Sequence, residues 1–278
     1  MKKQQLLLAG SGLIVLLVLF FFGQTVPPKK AVANTTSESH GQITINDILQ
    51  ASKQRLTPAQ QSYVNTLETA VVRGDVKEQQ IRVYNQLAGF WRDSANAFLP
   101  AAWYTGEAAK LENLEKKLTF AAHLYLDNIR VQSDASLKTW MAEQAKGLLE
   151  QGLKVNPAND SLKVSLGACY LFGGVGSPME GIAMIREVAD RDPHNVYAQM
   201  TLGSASIMSG QFDKAIERFK KALEHQPGNA EARLSLAEAY EQKGDKASAI
   251  EWYQKTKALV PNPAIVHEID ERIEQLKK

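Results

Sequence analysis

Apolar and small residues recur at a nearly constant interval between residues 160 and 261. The segment from Ala215 to Pro227 (AIERFKKALEHQP) is followed 34 positions later by a similar one from Ala249 to Pro261 (AIEWYQKTKALVP). Apolar residues in each segment are three or four positions apart, which predicts an amphipathic helix with one buried face. A repeat of this length predicts a stack of similar structural units rather than a single globular core.

Small residues mark the places where the two helices of each unit are expected to cross. A small residue is followed three positions later by a second marker, bulky in all but one case: Ala88 with Trp91, Ala122 with Tyr125, Gly167 with Tyr170, Gly203 with Ser206, and Ala237 with Tyr240. Another small residue opens the following helix in three units: Gly181, Ala215 and Ala249. Small side chains allow two helix axes to approach to about 8–10 Å. The pattern therefore predicts antiparallel helix pairs that bury their apolar faces by stacking.

These spacings resemble the tetratricopeptide repeat family, whose unit carries Leu-Gly, Tyr, Ala, Phe, Ala and Pro at fixed positions. The matching residues are Leu166, Gly167, Tyr170 and Pro193 in one unit, Leu202, Gly203, Ala215, Phe219, Ala222 and Pro227 in the next, and Leu236, Tyr240, Ala249, Tyr253 and Pro261 in a third. Ser206, Ala237 and Thr256 depart from the family pattern. The resemblance implies an all-α fold, a solenoid of antiparallel helix pairs with three units in residues 158–261.

The rest of the body fits the pattern less closely. Residues 43–157 are expected to form a divergent helical region with two further units, of which the second has eleven extra residues absorbed by longer helices. A separate helix is predicted from Thr57 to Val72, and a capping helix over residues 262–278. Caps of this kind cover the open apolar face at the end of a solenoid.

The amino end has the pattern of a membrane segment. Residues 6–23 are 18 consecutive uncharged and mostly apolar positions, about the minimum for a transmembrane helix. Residues 1–5 carry Lys2 and Lys3, which favour a cytoplasmic tail and a translocated carboxyl part. Residues 24–42 are rich in Pro, Ser and Thr, as in a flexible tether.

A cleaved signal peptide is the alternative for this end. Ala31 to Ala33 has the small-x-small form of a cleavage site, but it lies ten residues beyond the apolar run, after two prolines and two lysines. An uncleaved anchor fits these flanks better. An anchor followed by repeats looks like the anchored tetratricopeptide repeat proteins of bacterial envelopes. That likeness implies a single-pass inner-membrane protein with a periplasmic body.

Charge and composition exclude several classes of function. Beyond the four lysines in residues 1–30, the chain has 28 basic and 30 acidic residues, too even a balance for the basic surface that binds nucleic acid. The single cysteine, Cys169, excludes an internal disulfide and a cysteine-based zinc cluster, and its apolar neighbours predict a buried thiol. Five scattered histidines form no ligand motif: His40, His123, His194, His225 and His267. Neither a catalytic motif nor a cofactor motif is recognisable, so we expect no enzyme, no metal and no cofactor.

A glycine-rich turn from Gly173 to Gly176 lacks the preceding strand and the following Lys-Ser/Thr of a phosphate loop. It is read as a long turn before a helix, with Ser177 as the N-cap, Pro178 at the first position and Glu180 completing a capping box. A contact loop for a partner is the alternative.

In the family that the repeats resemble, the first helices of successive units line a concave face that holds a peptide or a partner helix. The resemblance places these residues there: Leu171, Phe172, Tyr197, Met200, Ser204, Ile207, Met208 and Leu234. Glu231, Glu238, Glu241 and Gln242 add an acidic rim. The Lys, Asn and Arg side chains with which some members bind a terminal carboxylate are absent from these positions.

We expect an apolar or amphipathic segment of a protein partner on this face, although the same side chains could instead pack between repeats. The sequence thus favours a membrane-tethered scaffold or adaptor, for example in envelope assembly or a process like cytochrome c maturation. A self-associating structural protein is the alternative, and an enzyme with an unrecognised site is a third class, which the sequence favours less.

Overall fold

The computed structural model describes residues 43–73 and 76–278, and these residues form thirteen α-helices and no strand. The helices are Ile45–Lys53 (α1), Pro58–Arg73 (α2), Lys77–Gly89 (α3), Phe98–Glu112 (α4), Glu115–Ile129 (α5), Ala135–Val155 (α6), Asp160–Phe172 (α7), Pro178–Arg191 (α8), Val196–Met208 (α9), Phe212–His225 (α10), Ala230–Lys243 (α11), Lys246–Lys257 (α12) and Pro263–Lys277 (α13). A π-helical turn, Phe90–Ser94, continues α3. The prediction of an all-α solenoid is confirmed for this part of the chain.

Helices α3 to α12 pack as five consecutive pairs. The last four pairs are each joined by a short turn, and α3 and α4 are joined by the π-helical turn and residues 95–97, so the helices of each pair run antiparallel. The last three pairs, α7/α8, α9/α10 and α11/α12, lie where the sequence predicts three repeat units. Helix α13 packs on α12 at the carboxyl end, where a capping helix is expected.

Small residues lie where the helices of a pair cross. A methyl group placed on Gly181 would come within 2.5 Å of the carbonyl oxygen of Gly167, so the backbones of α7 and α8 touch. A methyl group on Gly203 would meet the ring of Phe219 at 2.5 Å. Ala249 is fully buried at the corresponding place in α12. Close crossing of this kind explains why the small positions recur at the repeat interval.

Three of the turns between units have the form Pro-x-Asn. Pro157, Pro193 and Pro227 lie in the turns, outside both helices, and the Asn two residues later begins the next helix. The side chains of Asn159, Asn195 and Asn229 accept hydrogen bonds from backbone N–H groups at 3.0, 3.0 and 2.9 Å. Each such cap stabilises a helix by about 1 kcal/mol.

The prediction of a capping box at Ser177 is wrong. Ser177 is the N-cap of α8, but its side chain accepts no capping hydrogen bond. The start of α8 is instead defined by Pro178 at the first helical position and by the Gly181 N–H, which donates to the Ser177 carbonyl at 3.2 Å.

Stacking between units changes along the chain. Among the last four pairs the first helices pack on one another, α5 on α7, α7 on α9, and α9 on α11, whereas the second helices make no comparable contacts. Between the first two pairs it is the second helices, α4 and α6, that pack together. The extra length of the second pair lies mainly in α6, which has 21 residues. The first helices α5, α7, α9 and α11 therefore form one continuous layer, whose open side is called the inner face below.

Outside the described residues lie the predicted tail (1–5), anchor (6–23) and tether (24–42). Of the helices in residues 43–73 and 76–278, none is both long enough and apolar enough to span a bilayer.

Candidate partner-binding face

Two cavities open on the inner face. The first, of about 490 Å³, is called the α5–α9 cavity and is lined by side chains of α5, α7 and α9, of the turn before α11 and of the start of α11. The second, of about 460 Å³, is called the α11–α13 cavity and is lined by side chains of α9, α11, α12 and α13.

Six of the eight side chains predicted for the concave face line these cavities. Phe172, Tyr197, Met200 and Ser204 line the α5–α9 cavity, and Ile207 and Leu234 line the α11–α13 cavity. Leu171 is half-buried against the apolar core between α7, α8 and α9. Met208 is 69% exposed and lines neither cavity. Binding of a partner by these side chains stays a prediction.

A buried hydroxyl joins three first helices beneath the α5–α9 cavity. Ser165 of α7 is fully buried, and its Oγ lies 3.3 Å from Nε2 of His123 on α5 and 3.2 Å from the phenolic oxygen of Tyr197 on α9. Burial raises the pKa of Tyr197. Buried polar groups are costly unless they are hydrogen-bonded. These two hydrogen bonds therefore fix the three helices in one register.

Tyr197 and Met200 therefore have a structural role as well as a place on the cavity wall. Met200 is only 9% exposed and belongs to the apolar cluster of Phe219 and Leu236. Ser204 lines the same cavity without belonging to an apolar cluster. Packing between repeats thus explains the positions of Tyr197 and Met200, two of the residues predicted for the concave face.

The α5–α9 cavity also contains charged groups that the sequence did not assign to it. The guanidinium of Arg130 lies 5.5 Å from the centre of the Phe172 ring, a cation–π contact, and it joins no ion pair within the described residues. Asp127 and Glu231 also line the cavity. Arg130, like His123, lies in the divergent region, where the weaker repeat pattern gave no alignment of concave positions.

In the α11–α13 cavity, the carboxylate of Glu241 is fully engaged. Tyr253 donates a hydrogen bond from its hydroxyl to Oε2 of Glu241 at 2.8 Å, and Arg272 donates to the same oxygen from Nε at 3.0 Å. A second guanidinium nitrogen of Arg272 pairs with Oε1. This network joins α11 and α12 to the capping helix α13.

Glu238, one turn before Glu241, accepts no hydrogen bond and joins no ion pair within the described residues. Removal of hydration by its surroundings raises its pKa, and the nearby Glu241 raises it further, whereas Arg130 and Arg272 act in the opposite direction. Glu238 is nevertheless exposed to solvent, and it lines the cavity together with apolar side chains of three helices: Ile207, Leu234, Ile265 and Ile269.

The glycine-rich turn is packed into the core. Val175 is only 2% exposed, a methyl group on Gly173 would meet Cβ of Ala142 at 2.3 Å, and Gly176, with φ of 75°, lies against the ring of Tyr170. Its backbone supports packing and does not form a phosphate cradle.

Cys169, at the end of α7, is fully buried, and burial raises its pKa to about 12, so the thiol stays protonated.

A stack of antiparallel helix pairs with an open inner face defines this chain as an α-solenoid. Residues 206–269 match the family model described as "Tetratricopeptide repeat". Within residues 43–73 and 76–278, no group of three or more His, Cys, Asp or Glu side chains is placed to hold a metal ion.

Two solved structures share the fold. PilW, described as a widely conserved type IV pilus biogenesis factor, has 21% sequence identity and a TM-score of 0.51, with 70% of this chain and 85% of that chain covered. A thermophilic TPR protein of Thermus thermophilus, TTC0263, has 18% identity and a TM-score of 0.50, with 72% and 98% covered. No curated protein sequence matches the chain. The family match is limited to residues 206–269, and the two solved structures share the fold of the chain. Tetratricopeptide repeats serve in general as scaffolds that bind proteins or peptides.

Proposed function

We propose that this protein is a membrane-tethered adaptor that binds another envelope protein through its inner face and catalyses no reaction of its own. The observation that carries the proposal is the α5–α9 cavity. Its wall combines the aromatic ring of Phe172, the small side chain of Ser204 and the cation Arg130, which joins no ion pair within the part of the chain that the structure describes. A cavity that combines apolar side chains with polar and charged ones suits a peptide segment or a helix of a protein partner.

Photo-crosslinking from the cavity tests this proposal. A photoreactive amino acid replaces Ser204 in the full chain, which is expressed in its own membrane and irradiated. We expect a crosslinked product with a second protein that is absent when Ser209 is replaced instead, because Ser209 is exposed at the end of α9 and lines neither cavity. Equal labelling from both positions, or none from Ser204, would contradict the proposal.

The same experiment distinguishes an adaptor from a self-associating structural protein. A product with twice the mass of the chain, together with sedimentation of the purified protein as a dimer, would favour self-association. A product of any other composition, with sedimentation as a monomer, supports the adaptor.

The tether is a separate part of the proposal. The apolar run of residues 6–23 would hold the protein in a bacterial inner membrane, with the solenoid in the periplasm and a role in envelope complex assembly or a process like cytochrome c maturation. A reporter enzyme that is active only in the periplasm, fused after Lys278, should be active. An active cytoplasmic reporter at that position would refute the orientation, and a mature chain beginning after Ala33 would show a cleaved signal peptide.

A further inference from the structure

Two histidine side chains meet at one end of the α9/α10 pair. His194 lies in the turn before α9 and His225 is the last residue of α10, so the antiparallel course of the two helices brings them together. Nδ1 of His194 faces Nε2 of His225, and the ring centres lie 3.9 Å apart with the ring planes at 62°. Neither ring lines the α5–α9 cavity or the α11–α13 cavity. The pair is therefore separate from the candidate partner-binding face.

The repeat pattern does not explain this histidine pair. Counted from the turn prolines, the equivalent residues of the preceding and the following unit are not histidines: Ala158 and Arg191, Gly228 and Leu259. Both histidine rings are exposed, so they contribute little to the packing of the two helices. Histidine at both positions thus belongs to one unit of the three and serves neither the fold nor the inner face.

The backbone under both rings is fixed. The N–H of His194 donates to Oδ1 of Asp192 at 3.0 Å, and the side chain of Asn195 caps α9. His225 lies in the last turn of α10, which ends with a capping hydrogen bond of 2.9 Å from the Gln226 N–H. Ligands on a preordered backbone lose little conformational entropy when they bind an ion.

The lone pairs of the two rings are not committed to other side chains. His123 and His267 each lie beside a carboxylate one turn along their own helix, whereas His194 and His225 join no ion pair within residues 43–73 and 76–278. A neutral imidazole has one N–H and one lone pair. When both rings carry their proton on the outer nitrogen, both lone pairs point into the space between the rings. Two imidazole ligands present themselves to a metal ion in this way.

The chemistry of two imidazoles selects one class of ion. Imidazole nitrogen suits Zn²⁺, Ni²⁺ and Cu²⁺, whereas Mg²⁺ prefers oxygen ligands. Zinc–nitrogen bonds of about 2.0–2.1 Å place two ligand nitrogens roughly 3.3 Å apart, a separation that a small rotation of either exposed ring provides. No third His, Cys, Asp or Glu side chain of the described residues completes the group, so water fills the remaining coordination positions.

We propose that Nδ1 of His194 and Nε2 of His225 bind a divalent late-transition ion, Zn²⁺, Ni²⁺ or Cu²⁺, at the end of the α9/α10 pair. The bound ion links the start of α9 to the end of α10 and stabilises this end of the unit. The site goes beyond the adaptor proposal and does not depend on it.

Calorimetric titration of the full chain, in detergent micelles and without a histidine tag, tests the site. Zinc and nickel chloride should each bind, and magnesium chloride should not. His194→Gln and His225→Gln should each weaken binding by roughly tenfold or more, and the double variant should lose little more than either, because one imidazole alone chelates no ion. His267→Gln, which removes an exposed histidine from α13, is the matched control and should bind like the unchanged protein.

Two further measurements locate the bound ion. Cu²⁺ in the unchanged protein should show coupling to two imidazole nitrogens in its electron paramagnetic resonance spectrum, and either single variant should lose this signature. Hydrogen exchange with Zn²⁺ present should slow in the first turn of α9 and the last turn of α10, and stay unchanged in α12 and α13.

Three results would overturn the site. These are no binding of zinc or nickel at millimolar concentration, equal affinity of the unchanged protein and both single variants, and a loss in His267→Gln as large as that in the single variants. Slower exchange only outside α9 and α10 would do the same.

Discussion

At the residue scale, the crossing of α7 and α8 depends on the absence of a side chain. Gly181→Ala would place a methyl group within 2.5 Å of a backbone oxygen and 2.9 Å of Tyr170 Cβ, and backbone cannot move aside as a flexible side chain can. We expect a loss of about 1–3 kcal/mol in the free energy of unfolding, the usual cost of overpacking, measured by urea denaturation.

Gly147→Ala is the matched control for this prediction. Gly147 is exposed in α6, and a methyl group there would meet nothing within 4 Å. Because alanine favours a helix over glycine by about 1 kcal/mol, this variant should be slightly more stable than the unchanged protein. Equal responses of the two variants would show that α7 and α8 do not cross as closely as described.

Glu238 gives a prediction about pH at the same scale. Its pKa is raised in the folded protein, so between its ordinary pKa of 4.5 and the raised value the folded chain holds a proton that the unfolded chain has released. Stability contributed by this group therefore falls as pH rises through that window. Because Glu238 is exposed to solvent, Glu238→Gln should be only slightly more stable than the unchanged protein at pH 7, with the difference disappearing below the ordinary pKa. A variant less stable at pH 7, measured by urea denaturation beside Glu224→Gln on the exposed surface of α10, would show a favourable partner for the carboxylate.

Only some residues of the candidate site can be predicted from the repeat pattern. Phe172, Ser204 and Ile207 were placed on the inner face from the repeat pattern, because first-helix positions in regular units have fixed directions. Met200 is also required for the core, which a linear pattern cannot reveal. Arg130 was missed, because it comes from an irregular unit and reaches the site only through stacking.

At the element scale, α13 closes the apolar end of the solenoid. Ile269 is 4% exposed in the cluster with Tyr253 and Ala249, whereas Ile265, one turn earlier, is 38% exposed. Ile269→Ala should cost about 2–4 kcal/mol in the free energy of unfolding, the range for a buried isoleucine. Ile265→Ala should cost less than about 1 kcal/mol, since a partly exposed side chain loses less buried area. Similar costs at both positions, measured in urea, would contradict this packing of α13.

Elements were predictable where they repeat. The pairs α7 to α12 follow from residues spaced by a unit length, and the extra residues of the second pair were expected to lengthen helices, as α6 does. Helix α1 was not predicted as a separate element, because it is short and packs on α4 outside any repeat. The change from second-helix to first-helix contacts near α5 depends on how units stack, which the spacing within a unit does not determine.

At the scale of the whole molecule, each unit contacts mainly its neighbours, so stability should be local and not shared by the entire solenoid. A change at the carboxyl end is then expected to act mainly on the units near it. In Ile269→Ala, hydrogen exchange followed by mass spectrometry in native buffer should show faster exchange in α11 to α13. Exchange in α3 to α5 should stay unchanged, because those helices do not pack directly on α13. Gly181→Ala provides the comparison, with its largest effect expected in α7 and α8. A uniform increase along all described helices in both variants would mean that the chain unfolds as one cooperative domain, and the inner face could then not change locally when a partner binds.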